Sequence, residues 1–253
     1  MTPEQTTLAI TLGLLTKQAY GPVDSPLPRD LTLVDTILGT DLDGHTSIYG
    51  LIATDQAGNG YVGIRGTQTP AEWFADFEAI MTACPFCQGA HVEHGFLDIY
   101  RTFVLGSGRP LMPFLAQLTN LAVAGHSLGG PLATYLAAEA RALTLVGFAS
   151  PKPGDRDFAD FVQRQIREII LLANLPDVVP HVPLSLPKIP FLSSLPIPLE
   201  FDFEHVNTLT MLNSTGMVQP GLEPAHCIDT YLHCIDPSWP VEPRFAITPE
   251  PSP

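Results

Sequence analysis

The hydrophobic and polar positions divide the chain into short segments that alternate in type. The segment from Thr6 to Tyr20 reads as a helix. Thr32 to Leu38, Ser47 to Ala53 and Tyr61 to Ile64 read as strands, being rich in β-branched and apolar residues. Asp43-Gly44 and Asn59-Gly60 supply turns between them. From Trp73 to Met81 the apolar spacing becomes helical. Beyond that, strand-like and helix-like runs alternate: Leu121 to Ala124, Leu128 to Ala142, Leu143 to Phe148, Asp157 to Arg167, then Glu168 to Ala173. Such alternation predicts an α/β fold with a largely parallel central sheet flanked by helices.

Composition sharpens this picture. The 253 residues are 45% hydrophobic and 15% charged, with no internal repeat and no linker, so one domain over residues 1–236 is expected. Low charge with ample apolar residues excludes disorder over most of the length. The longest stretch without Asp, Glu, Lys or Arg runs from Pro110 to Ala138. Gln117, Asn120, His126 and the run Gly129-Gly130-Pro131 interrupt it, which argues for a buried strand and a buried helix rather than a membrane span. The N-terminus begins Met1-Thr-Pro-Glu without a basic region, and Lys17 follows the apolar run, so it makes a poor signal peptide. Compartment stays open: secreted if a signal was removed, otherwise cytoplasmic.

Charge narrows the partners. Twelve Lys and Arg against 26 Asp and Glu leave a formal net charge of −14. No electrostatic footprint exists for nucleic acid or an anionic bilayer, and a neutral substrate is expected. Proline is concentrated in two places among its 26 occurrences. Residues 237–253 read as a Pro-rich C-terminal tail, and residues 180–199 as an apolar Pro-rich insert. The insert cannot be a continuous helix and is too apolar for a solvated linker.

The chemistry is carried first by Gly125-His126-Ser127-Leu128-Gly129-Gly130. This satisfies G-x-S-x-G between a strand-like run and an Ala/Leu-rich helix, the context needed to project a nucleophilic hydroxyl from a sharp turn. Other segments agree in order. Ile64-Arg65-Gly66-Thr67 is followed by Trp73 and Asp76. His94-Gly95-Phe96-Leu97-Asp98 precedes Tyr100, and Phe148-Ala149-Ser150-Pro151 precedes Gly154. Together these resemble the class 3 lipase family, the α/β-hydrolases typified by fungal triacylglycerol lipases, over roughly residues 45–235. Pro131 departs from the family's usual small residue there.

A serine hydroxyl needs a base, and the base an orienting carboxylate. The candidates after Ser127 are Asp155, Asp157, Asp160, Asp177 and Asp202. Asp177 follows the strand-like run Ile169 to Ala173, at the edge where α/β sites are built. Asn174-Leu-Pro-Asp177-Val-Val-Pro180 also resembles the family's Asp-x-Val-Pro segment. Of His181, His205, His226 and His233, the segment around His226 resembles the family's C-terminal histidine, with an aromatic, Tyr231, a few residues on. His205 is its main rival.

The N–H of Leu128, next after the nucleophile, is the first expected oxyanion donor. Thr67 fits the second, and the resemblance implies that its N–H and hydroxyl both serve. Asp76 either holds that hydroxyl or is an ordinary surface residue. Trp73, Phe74, Phe77, Ile80 and Met81 form one helical stripe. The stripe reads either as a helix packed on the core or, by resemblance, as a lid over residues 69–81 whose Trp73, Phe74 and Phe77 meet substrate. Cys84-Pro-Phe-Cys87 with His91 and His94 has a spacing that zinc accepts, but the ligands are crowded and no metal is assigned. A short disulfide or two free thiols remain the alternatives for Cys84 and Cys87. Cys227 and Cys234 are too far apart on one helix to bridge.

The resemblance implies a serine carboxylic ester hydrolase, a lipase or esterase cleaving acylglycerols or fatty acyl esters through an acyl-enzyme. It implies no cofactor, a neutral ester or lipid substrate, transient contact with a lipid interface, and no protein partner. Two other readings stay open: an aromatic-ester or polymer esterase such as a feruloyl esterase on the same scaffold, and an inactive hydrolase-fold binding protein.

Overall fold

The computed structural model describes residues 1–22, 27–67, 79–183 and 202–247. Helix α1 (Pro3–Gln18) starts on a capping box, in which the Thr2 side chain accepts from the Gln5 N–H and the Gln5 side chain accepts from the Thr2 N–H. Strands β1 (Thr32–Thr40), β2 (Thr46–Thr54) and β3 (Asn59–Ile64) follow, then the short β4 (Met81–Ala83) and β5 (His91–Glu93). Helix α2 (His94–Arg101), strand β6 (Val104–Leu105) and helix α3 (Leu111–Leu115) lead to β7 (Thr119–His126). Then come α4 (Gly129–Ala140), β8 (Thr144–Phe148), α5 (Arg156–Gln165), β9 (Glu168–Asn174), β10 (Leu209–Leu212), α6 (Leu222–His226) and α7 (Ile228–Ile235).

Among the described residues eight strands form the main sheet, in the order β10-β9-β8-β7-β3-β2-β1-β6. From β10 to β3 all neighbours are parallel. From β3 to β6 they are antiparallel. The parallel half is covered on both faces, and its strand sequences record this. In β7, Ala122 and Ala124 pack with Ala9 and Leu12 of α1, while Val123, on the opposite face, packs with Leu132 and Leu136 of α4. Helix α7 lies beside α1, with Ile10, Ile228 and Leu232 forming a small cluster. This layering brings the carboxyl ends of β3, β7 and β9 to one edge of the sheet, the edge where α/β folds bind ligands.

Several sequence expectations change. Of the apolar stripe from Trp73 to Met81, residues 73–78 lie outside the described residues, and so do Trp73, Phe74, Asp76 and Phe77 with their expected roles. Met81 opens strand β4 instead of continuing a helix, because it pairs with Glu93 of β5. Most of the apolar insert, residues 184–199, also lies outside the described residues. Residues 237–247 of the expected tail are packed onto the body. Phe245 is buried, Ala246 bridges to Val218, and the Trp239 indole N–H donates to Asp229 at 3.0 Å. The Asp229 carboxylate also takes Lys17 Nζ of α1 at 2.7 Å, so this polar clasp overrides the extended character that the prolines suggested. Among the described residues no helix is long and apolar enough to cross a membrane.

Candidate active site

Strand β7 ends at His126 and α4 begins at Gly129, leaving Ser127 and Leu128 to make the turn between them. Ser127 adopts φ 57°, in the left-handed region that costs a non-glycine residue about 1–3 kcal/mol. The surroundings hold it there. Its N–H donates to Phe148 O at 3.0 Å, and its carbonyl accepts from the Gly130 N–H at 2.8 Å. So tight a turn leaves no room beside it. A Cβ on Gly125 would run into Gly129 O, and one on Gly129 would meet Ile64 O and Arg65 O at the end of β3. Gly125 is therefore required by the close return of the helix start onto its own strand, and Gly129 by the contact between this turn and the end of β3. Pro131 sits in the first turn of α4, where a helix has no use for its missing N–H.

The structure brings Ser127, Asp177 and His226 together. Ser127 Oγ donates to His226 Nε2 at 2.8 Å. His226 Nδ1 donates to Asp177 Oδ2 at 2.8 Å. All three are buried, with Asp177 at 0% exposure. Asp177 lies in the loop after β9 and makes further bonds: Oδ1 accepts from the Val179 N–H at 3.0 Å, and Oδ2 from the Tyr231 hydroxyl at 2.7 Å. Burial by itself would raise the Asp177 carboxyl, but the bonds from His226, Tyr231 and Val179 outweigh it and hold the group below the usual carboxylate range. An ionised Asp177 fixes His226 with its proton on Nδ1, leaving Nε2 free to accept from Ser127.

His226 is the last residue of α6, with α7 starting two residues later, so it sits at the junction of two helices. Asn174, at the end of β9, anchors this corner. Its Nδ2 donates to Ala225 O at 2.8 Å and to Ser214 Oγ at 2.7 Å, while its N–H donates to the Tyr231 hydroxyl at 3.0 Å. Sequence reasoning assigned no role to Asn174 or Tyr231. Asn174 shares the Asp177 segment and Tyr231 follows His226 by five residues, but only their burial beside the carboxylate identifies them.

The rival residues are occupied elsewhere. His205 Nε2 donates to Pro180 O at 2.7 Å, and burial lowers its pKa to about 4. His233 Nδ1 bonds Trp239 O at 2.7 Å, and His181 ends a short 3-10 turn. Asp155 caps α5, and Asp160 faces Arg156. Cys84 and Cys87 are free thiols, with burial the main cause of their raised pKa values. His91 pairs with Asp155 and His94 with Asp98.

The two expected oxyanion positions flank Ser127. Leu128 stands at the N-terminus of α4, where helix amides and the helix dipole favour negative charge. Thr67 directly follows Gly66, and Gly66 lies against the turn: a Cβ there would come within 2.8 Å of both Ser127 Cβ and His126 O. Beside the acid and base loops lies a cavity of about 390 Å³, lined by Pro176, Val178, Val218, Pro220, Leu222 and Ala225 among others. A strained serine, a base and a buried carboxylate in this order can carry out nucleophilic acyl transfer.

Comparison with known proteins agrees with this geometry. Residues 61–186, about half of the chain, match the profile of the family Lipase (class 3). The secreted mono- and diacylglycerol lipase 1 of Fusarium solani is 29% identical over 156 residues, covering 58% of this chain and 46% of that protein. The chloroplastic phospholipase A(1) DAD1 of Arabidopsis thaliana is 26% identical over 147 residues, covering 48% of this chain and 33% of that protein. The chain thus spans less than half the length of these two curated relatives. Among solved structures, lipase II from Rhizopus niveus superimposes with a TM-score of 0.65 at 20% identity, covering 83% of this chain and 82% of that one. A triacylglycerol lipase whose catalytic centre is described as a serine protease triad gives 0.64 at 21% identity, covering 85% and 82%. The shared α/β-hydrolase fold and the family match put this chain in the class 3 lipase family.

Proposed function

We propose that this protein is a serine carboxylic ester hydrolase that cleaves acylglycerols or other fatty acyl esters through an acyl-enzyme. The observation that carries the reading is the unbroken chain from Ser127 Oγ to His226 to Asp177, with both links at 2.8 Å. In the reaction, Ser127 Oγ attacks the ester carbonyl while His226 Nε2 takes its proton. The Leu128 N–H and Thr67 receive the charge on the tetrahedral oxygen. His226 then gives the proton to the leaving alcohol, and water repeats the sequence to release the acid. Asp177 stays ionised throughout and stabilises the imidazolium.

The substrate class rests on several supports. The relatives carry names that specify mono- and diacylglycerols and phospholipids. The net charge of −14 suits an uncharged ester. Contact of Trp73, Phe74 and Phe77 with the acyl chain, a link between Asp76 and Thr67, and transient adsorption at a lipid surface belong to the same proposal. They rest on the sequence stripe and the family. A series of p-nitrophenyl esters of rising chain length, with an aromatic ester alongside, tests the reading. Turnover highest on fatty acyl esters and abolished in Ser127→Ala is expected. Turnover retained in Ser127→Ala refutes the mechanism, and a preference for the aromatic ester refutes the substrate class.

A further inference from the structure

Three hydrogen bonds around the site form a path that the reaction above does not use. The Gly66 N–H donates to the Tyr20 hydroxyl at 2.7 Å. That hydroxyl lies 2.7 Å from His126 Nδ1. His126 Nε2 lies 2.8 Å from the carbonyl oxygen of His226. The directions follow from chemistry. A carbonyl only accepts, so His126 Nε2 carries the proton. In a neutral imidazole Nδ1 is then bare and must accept from Tyr20 O–H. The Tyr20 oxygen in turn accepts from Gly66. Every donor and acceptor along the path is used once.

The path joins four parts of the fold. Tyr20 follows the C-terminus of α1, Gly66 follows β3, His126 ends β7 and His226 ends α6. Gly66 is held from both sides, since Arg65 Nη1 donates to its carbonyl at 2.6 Å. Arg65 is itself anchored on Ile48 O at 2.7 Å and Ser47 Oγ at 2.9 Å. Because the peptide unit is planar and trans, fixing Gly66 C=O also fixes the opposite direction of the Thr67 N–H. The His126 and His226 rings lie 4.8 Å apart between centroids. Burial, and then the neighbouring His226, push the His126 pKa down to about 3, so the ring stays neutral in ordinary buffers.

We propose that Tyr20 is a positioning residue for the acyl-transfer site: its hydroxyl locks His126 in the Nε2–H tautomer and clamps Gly66, keeping the oxyanion loop and the base in register with Ser127. This rests on the hydrolase reading. Without the hydroxyl, the Gly66 N–H and His126 Nδ1 both lose their partner. His126 is then free to turn or change tautomer and to release the His226 carbonyl. The chemical step suffers while ground-state binding of the ester does not, because none of these atoms needs to touch the substrate tail.

The test uses the full chain as wild type, Tyr20→Phe, His126→Gln and the double variant. A fluorophosphonate probe counts reactive serines, and kcat is expressed per labelled site so that misfolded protein does not enter. Tyr20→Phe is expected to lower kcat about 10- to 100-fold with KM within about twofold, the scale of a small misplacement of reacting groups. The double variant is expected to be no slower than the slower single variant, since both interrupt one path. Nitrogen NMR of the histidine rings is expected to show His126 as Nε2–H in the wild type and as a mixture of tautomers in Tyr20→Phe. Wild-type kcat in Tyr20→Phe, a loss confined to KM, multiplicative losses in the double variant, or an unchanged tautomer would each overturn the proposal. A folded wild type that the probe does not label at Ser127 overturns the hydrolase reading itself. The tautomer measurement is independent of activity, so the two failures are distinguishable.

Discussion

Lowering the pH from about 7.5 to about 5 favours protonation of the buried His126 in the unfolded chain over the folded one. Its folded-state pKa is about 3, against about 6.5 in an unfolded chain. The folded value is the lower one, so the unfolded chain binds the proton first and gains the advantage on acidification. The stability held at neutral pH is complete above about pH 6.5 and drains away as pH falls toward 3. At pH 5 the unfolded chain is about 1.5 units below its pKa, which corresponds to about 2 kcal/mol lost from the fold. That figure does not depend on the folded value, provided it lies well below 5. Burial raises the Glu93 carboxyl, which acts in the opposite sense, and Asp177 is held below its ordinary range, so its stabilisation is also lost as pH falls, but at lower pH still. His205 titrates in the same direction, with a folded value of about 4, so the His126 share must be isolated by difference. Urea unfolding of wild type and His126→Gln at both pH values does this. Wild type is expected to lose about 2 kcal/mol more than the variant. Equal losses in the two proteins would show that His126 is accessible to protons in the folded state, and the neutral-tautomer argument would fall.

Two further outcomes follow from the same corner of the molecule. Tyr231→Phe removes the hydroxyl that donates to Asp177 and accepts from the Asn174 N–H. A loss of about 2–4 kcal/mol in urea unfolding is expected, from one unpaired buried donor and one lost bond to a charged group. The Asp177 carboxyl, followed by carbon NMR, is expected to titrate at higher pH as it loses a bond that lowers its pKa. A titration identical to wild type would contradict this. Gly129→Ala sets a Cβ against Ile64 O and Arg65 O, both backbone atoms that cannot swing aside. A cost of about 3 kcal/mol or more is expected, with loss of activity at temperatures where the protein remains folded. Thermal unfolding within about 2 °C of wild type would mean that the turn and the end of β3 are not packed in this way.

The alternation of apolar runs determined the parallel half of the sheet, because strands covered on both faces must read as continuous hydrophobic segments. Strands β1 to β3 and β7 to β9 begin and end within two residues of the sequence reading. The tight turn at Ser127 was equally legible, since G-x-S-x-G encodes a local steric requirement that the close contacts at Gly125 and Gly129 match. The short elements were not legible. β4, β5, β6 and α6 are each too brief for a period to appear, and they exist because they pair with or cap something distant in sequence.

The same division runs through the site. That Ser127 would be joined by a carboxylate and a histidine follows from the motifs, but their identity is a matter of distance across 49 and 99 positions of sequence. As sequence, His226 is favoured over His205 only by resemblance. Tertiary structure separates them, by directing one to the Pro180 carbonyl and the other to Ser127. The packed C-terminal segment shows the same effect: prolines indicate an extended chain, yet Trp239 is drawn in by a buried carboxylate that α7 carries and α1 neutralises. The path from Gly66 through Tyr20 and His126 to His226 joins four segments that no local pattern links. Local sterics and burial are written in neighbouring residues and can be read from them. Hydrogen-bond partners of buried polar groups are chosen by which chain ends the fold brings together, and only the folded chain decides that.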